Sequence, residues 1–304
     1  MARPYYVTTP IYYVNDRPHI GHAYSTVAAD VVSRYQALRG KPSYFLTGLD
    51  EHGLKIERRA KEEELAPQDF VDRMAAPFRE AWEALDCHHH GFIRTTSPQH
   101  KENVQRLWKQ MEERGDIYLD DYEDWYCVGC ESFKTEKELL EGNLCAIHKK
   151  PVERIKERSY FFRLSNYTQP LLDYYEAHPD FVQPGARFNE VKSFVREGLR
   201  DLSVSRTSFR WGIPVPNDPE HVIYVWLDAL TNYISALGGP AKEGEAPLFD
   251  EFWRNAGTIT HIVGKDILRF HAIYWPAFLM SAGVRLPTHV WAHGWLTVNG
   301  EKMS

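Results

Sequence analysis

The spacing of apolar residues changes several times along this chain, and each change marks an element. From Pro4, "PYYVTTP" reads as a short buried strand. After Pro18, apolar residues recur at Tyr24, Val27, Ala28, Val31, Val32, Tyr35 and Leu38. Those spacings are helical and predict a strongly amphipathic helix. Gly40 is placed to end it in a left-handed cap, and "SYFLTG" from Ser43 reads as a second strand, which makes a strand, helix, strand unit of parallel type. Two more helices are predicted. One covers Pro67 to Leu85, apolar at Phe70, Val71, Met74, Phe78 and Trp82; the other covers Pro98 to Arg114, with Ser97 as cap and Gly115 as stop.

Near residue 115 the pattern breaks. "DIYLDDYEDWYCVGC" is turn-rich and strand-like, and a charged stretch follows it. Alternation of strand and helix returns at His221 with "HVIYVWLDALTNYISALGG" and continues through "THIVGKDILRFHAIYWPAFL" and "THVWAHGWLTVNG". The chain is therefore read as an α/β nucleotide-type fold in two halves, 1–114 and 221–304, with 115–220 as an inserted module. No internal repeat or low-complexity tract interrupts this reading.

Composition narrows it modestly. The 304 residues suit one large domain or one domain with an insertion, and 43% hydrophobic with 26% charged residues is ordinary for a globular chain. A net charge of -6 argues against a uniformly basic nucleic-acid surface but leaves room for a local basic patch. The longest apolar run, Ile273 to Met280, is far too short to span a bilayer, and no signal peptide pattern opens the chain. A soluble, cytosolic protein is expected.

Four cysteines do not suggest a disulfide scaffold in a chain of this size. Cys127, Cys130, Cys145 and His148 have the spacing C-x2-C-x14-C-x2-H, which supplies four N/S ligands for tetrahedral zinc. Four protein ligands close the site, so a structural zinc ion is expected. By contrast Cys87 with His88, His89 and His90 reads as a turn, because successive side chains point in different directions.

The other constellation is His19, Gly21 and His22, at a helix start directly after the first strand. A helix N-terminus there offers free N–H groups and a positive dipole end to an anion. Gly21 lets a nucleotide lie close to the backbone, and two imidazoles could donate to phosphate oxygens as charge grows on a departing pyrophosphate. A pair of solvated histidines is the plainer alternative. Further on, Gly264 ends a strand and Asp266 opens a helix, where its carboxylate could accept from two ribose hydroxyls or simply cap the helix. Ile11, Tyr13, Trp226, Ala229, Leu230, Tyr233 and His271 could line a pocket, although periodicity alone favours plain core for Trp226 and Tyr233.

"HIGH" from His19, together with "NGEKMS" at the end of the chain, resembles the two signatures of class I aminoacyl-tRNA synthetases. "VTTPIYYVN" from Val7, "TGLDEHG" from Thr47, "YVWLDALTNYISALG" from Tyr224 and "GKDILRFHAIYWPAFL" from Gly264 resemble the methionyl-tRNA synthetases among them. Leu49 departs from the pattern, where the family usually has Thr. The resemblance implies a Rossmann-like parallel sheet with helices on both faces, interrupted by a connective domain carrying a zinc knuckle. A helical anticodon-binding domain would follow beyond residue 304. It further implies catalysis by His19, His22 and Lys302, and ATP binding by these with Gly21, Gly264 and Asp266. Methionine would be held by Ile11, Tyr13, Asp50, Trp226, Ala229, Leu230, Tyr233 and His271, with Asp50 facing the ammonium.

On this resemblance the expected reaction joins L-methionine to ATP, with Mg2+ on the triphosphate, and then passes the methionyl group to tRNA(Met). Lys149, Lys150, Arg154, Lys156 and Arg158 could guide the acceptor end or form a solvated charged hairpin. Three rivals remain. A synthetase for an aliphatic amino acid would need a larger editing insertion, a small-cofactor nucleotidyltransferase would have no use for the zinc module, and a non-catalytic RNA-binding zinc protein would not need His19 paired with Lys302.

Overall fold

A computed structural model describes residues 2–302 apart from 131, 135, 299 and 300. The chain runs through β1 (Tyr5–Thr8), β2 (Tyr12–Tyr13), α1 (Ile20–Leu38), β3 (Ser43–Asp50), α2 (Leu54–Glu62), α3 (Pro67–Ala84), β4 (Gly91–Arg94) and α4 (Pro98–Glu113). It continues with β5 (Ile117–Cys127), β6 (Ser132–Lys134), β7 (Leu139–Leu140), β8 (Leu144–Cys145), β9 (Glu153–Phe162), α5 (Thr168–Ala177), β10 (Val182–Gln183) and α6 (Gly185–Arg196). Four short strands follow: β11 (Leu202–Ser203), β12 (Ser205–Arg206), β13 (Pro214–Val215) and β14 (Asp218–Ile223). The last part holds α7 (Val225–Ser235), the one-turn α8 (Pro247–Phe249), β15 (Thr258–Gly264), α9 (Trp275–Ala282), β16 (His289–His293), β17 (Thr297–Val298) and β18 (Glu301–Lys302).

Seven strands form one sheet in the order β10-β16-β15-β1-β3-β2, with β4 also on β3. Every pairing in it is parallel. A parallel sheet needs both faces covered, and β1 shows why its sequence is apolar without alternation. Tyr5 and Val7 pack with Phe45, Ile262 and Ala29 of α1, while Tyr6 enters the larger core on the opposite face with residues of α4, α7 and α9. The fold is thus α/β with helices on both faces. Gly40 (φ +74°) and Gly115 (φ +83°) take the left-handed conformation that ends α1 and α4.

Helix α1 lies where its spacing predicts but turns the other way round. An amphipathic helix ordinarily points its apolar stripe inward, yet Tyr24, Val27, Val31, Tyr35 and Leu38 are exposed, and the buried side carries Ser25, Thr26, Ala29, Asp30, Ser33 and Gln36. Small side chains let the helix lie close on the strands. The polar groups there are largely satisfied. Thr26 donates to the His22 carbonyl, Ser33 Oγ lies 2.9 Å from Ser43 Oγ, and Asp30 accepts from the His88 amide and from Arg34.

The stretch 115–220 builds a four-stranded antiparallel sheet of order β11-β9-β5-β6, dominated by the β5–β9 ribbon from Ile117↔Phe162 to Tyr126↔Glu153. The same stretch also sends α5, β10 and α6 back into the main body. Leu171, Tyr175, Phe188 and Val191 belong to the main core, and Val182 pairs with Val290 of β16. Among the described residues no helix is long and apolar enough to cross a membrane.

Candidate active site and metal centre

From β1 the chain crosses by way of α1 to β3 on one side, whereas β15 pairs with β1 on the other. Strand order reverses there, and open parallel sheets bind ligands beyond the carboxyl ends of their strands at such a point. A cavity of about 580 Å³ opens at this place. Pro10 and Ile11 reach it just beyond β1, Asp50 at the end of β3, Gly264 and Asp266 from the end of β15, and His293 and Gly294 from the end of β16. A smaller hollow of about 420 Å³ among Tyr174, His178, Arg285 and His289 lies elsewhere and shares none of these groups.

The cavity brings together His19, Gly21, His22, Gly264 and Asp266 with Ile11, Tyr13, Asp50, Trp226, Ala229, Leu230, Tyr233 and His271. These side chains are up to 260 residues apart in sequence. Lys302 follows in a two-residue strand paired to Thr297; its side chain, with Met303 and Ser304, lies outside the described residues.

His19 replaces the usual Ser or Asp at the start of α1. Its Nδ1 accepts from the Gly21 amide at 3.1 Å, and His22 Nδ1 accepts from the His19 amide at 3.3 Å, a reciprocal capping box built from imidazoles. Using Nδ1 as an acceptor leaves Nε2 as the protonated nitrogen of each neutral ring. The rings stack at 3.7 Å, and burial, with His19 alongside, drives His22 down to about 3. Two neutral N–H donors, held by the backbone itself, therefore stand at the mouth of a helix.

The wall from α7 is aromatic and also neutral. Trp226 stacks face to face on Phe270 at 3.7 Å, and its indole N–H donates to the Cys130 carbonyl. The His271 ring takes up a neutral form with Nδ1–H on the Ile267 carbonyl at 2.9 Å, so Nε2 accepts from the Tyr233 hydroxyl at 2.6 Å. Burial pushes His271 down to about 4, against the effect of its bond to Ile267, and pushes the Tyr233 phenol well up. Neither group carries charge at neutral pH. Asp50, 3% exposed, is the acidic contribution of β3 to the same cavity.

Cys127, Cys130, Cys145 and His148 converge, with one donor atom from each lying within 4.8 Å of the others. Cys130 Sγ is 3.6 Å from Cys145 Sγ and 3.3 Å from His148 Nδ1, which is 3.7 Å from Cys127 Sγ and 3.8 Å from Cys145 Sγ. A tetrahedral ion with bonds of about 2.0–2.3 Å requires donor separations of about 3.5–3.8 Å, so the set fits. The hydrogen bond from the Cys130 thiol lowers Cys127, and the same pairing raises Cys130. Gly129 is required for this closure, since a Cβ there would sit 2.8 Å from the His148 ring. The loop is not remote: Gly129, Cys130 and His148 also line the cavity. Among the described residues no second such group exists, and His88, His89 and His90 form none.

Several cavity residues had no signal in the sequence. His293 Nε2 is hydrogen-bonded to Ser25 Oγ at 2.7 Å, and Lys55 lies over the Tyr13 ring. Asn15, Arg17 and Trp295 complete the polar side. Only "WAHGW" at the end of a strand resembles the other strand-end signals closely enough to have pointed to His293.

The model of the class I tRNA synthetase (M) family matches residues 5–143 and 134–304. The methionine–tRNA ligase of Caldanaerobacter subterraneus subsp. tengcongensis is 51% identical over 304 residues, covering 100% of this chain and 47% of that protein. That of Rickettsia conorii is 53% identical over 304 residues, covering 100% and 58%. Mycobacterium tuberculosis methionyl-tRNA synthetase in complex with methionyl-adenylate superposes with a TM-score of 0.94 at 49% identity, over 99% of this chain and 59% of that one. The ligand-free form of the same enzyme gives 0.79 at 47% identity, over 97% and 56%. The chain spans about half the length of the curated relatives it matches.

Proposed function

This chain belongs to the class I tRNA synthetases of the methionine type, and on that premise we propose that it is the catalytic part of a cytosolic enzyme that activates L-methionine with ATP and charges tRNA(Met). The observation that carries the proposal is the single cavity at the switch point, shared by the imidazole pair, Asp266, Asp50 and the α7 wall. The closer superposition on the adenylate-bound relative agrees with it.

The thioether side chain packs against Trp226, Ala229, Leu230 and Tyr233, and the ammonium faces Asp50. Aromatic contacts to sulfur contribute about 0.3–1.5 kcal/mol each, so selection rests on shape and on the ammonium together. The carboxylate oxygen of methionine attacks the α-phosphorus of ATP. The bond from that phosphorus to the bridging oxygen breaks, and pyrophosphate leaves with the electron pair. Nε2–H groups of His19 and His22 donate to phosphate oxygens as charge accumulates, Gly21 admits the nucleotide, and Gly264 with Asp266 receives the ribose. Lys302 adds a cation to the phosphates. Mg2+ bound to the triphosphate supplies charge neutralisation. The methionyl group then passes to the terminal ribose of tRNA.

In the same reading, residues 1–114 and 221–304 form the catalytic domain, joined by α5, β10 and α6 from within 115–220, and the rest of 115–220 holds the connective module. Within that module we assign the ion to zinc, held by Cys127, Cys130, Cys145 and His148 and serving to fold the loop. Calorimetry of this chain should give saturable one-to-one binding of L-methionine, and the full protein should catalyse methionine-dependent exchange of pyrophosphate into ATP. A folded chain that ignores methionine would end the proposal.

A further inference from the structure

The end of β3 carries three ionisable residues in a row, and each goes somewhere different. Asp50 lines the cavity. Glu51 is paired with Arg94 at 2.6 Å and accepts from the Thr96 hydroxyl. His52 turns into the protein, where its Nδ1 is 2.7 Å from Asp228 Oδ2 on α7. The other oxygen of Asp228 is 2.6 Å from His100 Nε2 in the first turn of α4, and His100 Nδ1 is 2.6 Å from Ser235 Oγ, also on α7.

His52, His100 and Asp228 are at most 1% exposed, and none of them lines the cavity. Burial opposes ionisation of Asp228, but His52 and His100 outweigh it and hold the carboxyl down at about 2. A carboxylate only accepts, so both imidazoles direct N–H groups at it, and Ser235 Oγ hydrogen-bonds the remaining nitrogen of His100. Trp211 closes the other side, edge-on to His52 at 5.4 Å and hydrogen-bonded to the Glu51 carbonyl.

A buried charge of this kind is a poor means of stabilising a core, because apolar residues of equal volume commonly do as well or better. What it provides is direction. Apolar contacts tolerate sliding, whereas a carboxylate gripped on both oxygens fixes one rotation and one height of α7. Trp226, Ala229, Leu230 and Tyr233 are on that helix, and Asp50 is two residues before His52.

We propose that His52, Asp228 and His100 are positioning residues, a clamp that sets the Asp50 carboxylate at one distance from the α7 wall and so makes the cavity selective for a ligand carrying both an ammonium and an apolar side chain. This rests on the amino-acid-site reading above. The clamp touches no ligand; its effect is confined to ligands that engage both walls at once.

The test titrates this chain by calorimetry with L-methionine and with 4-(methylthio)butanoate, which keeps the side chain and carboxylate but lacks the ammonium. Wild type should prefer methionine; without that preference the amino-acid site itself is wrong, whatever the clamp does. Asp228→Asn, which preserves shape, and His52→Leu should each lose methionine affinity by about tenfold to a hundredfold while binding the butanoate as before. His52→Asn, which restores a donor near Nδ1, should recover most of the loss. Asp228→Asn carries the comparison should His52→Leu not fold. Wild-type methionine affinity in a folded Asp228→Asn protein overturns the proposal, and so does an equal loss for both ligands, the mark of a general loosening of the core.

Discussion

His271 shows how burial alone can decide the state of a residue. An unfolded histidine takes up a proton near pH 6.5, whereas folded His271 does so only near 4. Between these values the unfolded chain binds more protons, so stability rises with pH through this window and is lost as pH falls from about 6.5 to 4. For a group this buried the effect is on the order of 3 kcal/mol. Thermal melts of His271→Gln should therefore depend less steeply on pH between 4 and 7 than those of the parent, and identical slopes would refute the assignment. His22, with its shift to about 3, contributes in the same direction. Trp226, half-buried against Phe270, makes a separate prediction. Truncation to Ala should weaken methionine binding by roughly tenfold or more through lost aromatic and apolar contact, with the melting curve still cooperative. A Trp226→Ala protein that binds methionine like the parent would remove this wall from the pocket.

At the scale of elements, α1 and the cysteine loop behave differently from one another. The exposed side of α1 is apolar, so Val31→Lys and Leu38→Lys should each change stability by no more than about 0.5 kcal/mol. Ala29, fully buried beneath the helix, leaves no space for growth, and Ala29→Leu should destabilise by about 1–3 kcal/mol. Denaturant melts of the three variants check this directly; the reverse ranking would mean that α1 faces the sheet with its apolar stripe. The cysteine loop has little apolar core apart from Cys127, Cys145 and Val152 with their neighbours. A chelator or Cys145→Ala should therefore unfold the loop, leaving the parallel sheet intact. The readout is metal content by mass spectrometry alongside amide exchange, with protection lost around 127–152 and retained in β1, β3 and β15. Metal release without local exposure would make the ion dispensable.

For the molecule as a whole, charge and connectivity matter more than any single contact. A protein of net charge -6 can approach a polyanion only through local basic ground. Lys149 and Lys150, exposed beside the metal loop, are candidates. Reversing both charges should weaken tRNA charging by the full protein severalfold at low salt while leaving pyrophosphate exchange unchanged, and equal losses in both assays would count against the assignment. The two halves of the parallel sheet and the strand-like break between them were legible because strand and helix periods are local. So was the metal group, whose four ligands are two short clips; the sequence placed His19, Gly21 and His22 at a helix start but gave no sign that the imidazoles cap it. The return of α5, β10 and α6 from the inserted stretch to the main core was not legible, since a two-residue strand leaves no periodic trace. Nor was the His52–Asp228–His100 clamp, whose members are 128 and 176 residues apart.

By itself the sequence determined much that depends on neighbours along the chain: where α1, α3 and α4 begin and stop, which side chains form the metal clips, and which short motifs end the strands. Tertiary structure alone decided which side of α1 faces the sheet, that one cavity collects the strand ends, and that the cap imidazoles, His271 and Tyr233 are all neutral. The physical reason is that orientation, desolvation and hydrogen-bond partners are set by groups remote in sequence. Periodicity records how a segment repeats, and only packing determines what it repeats against.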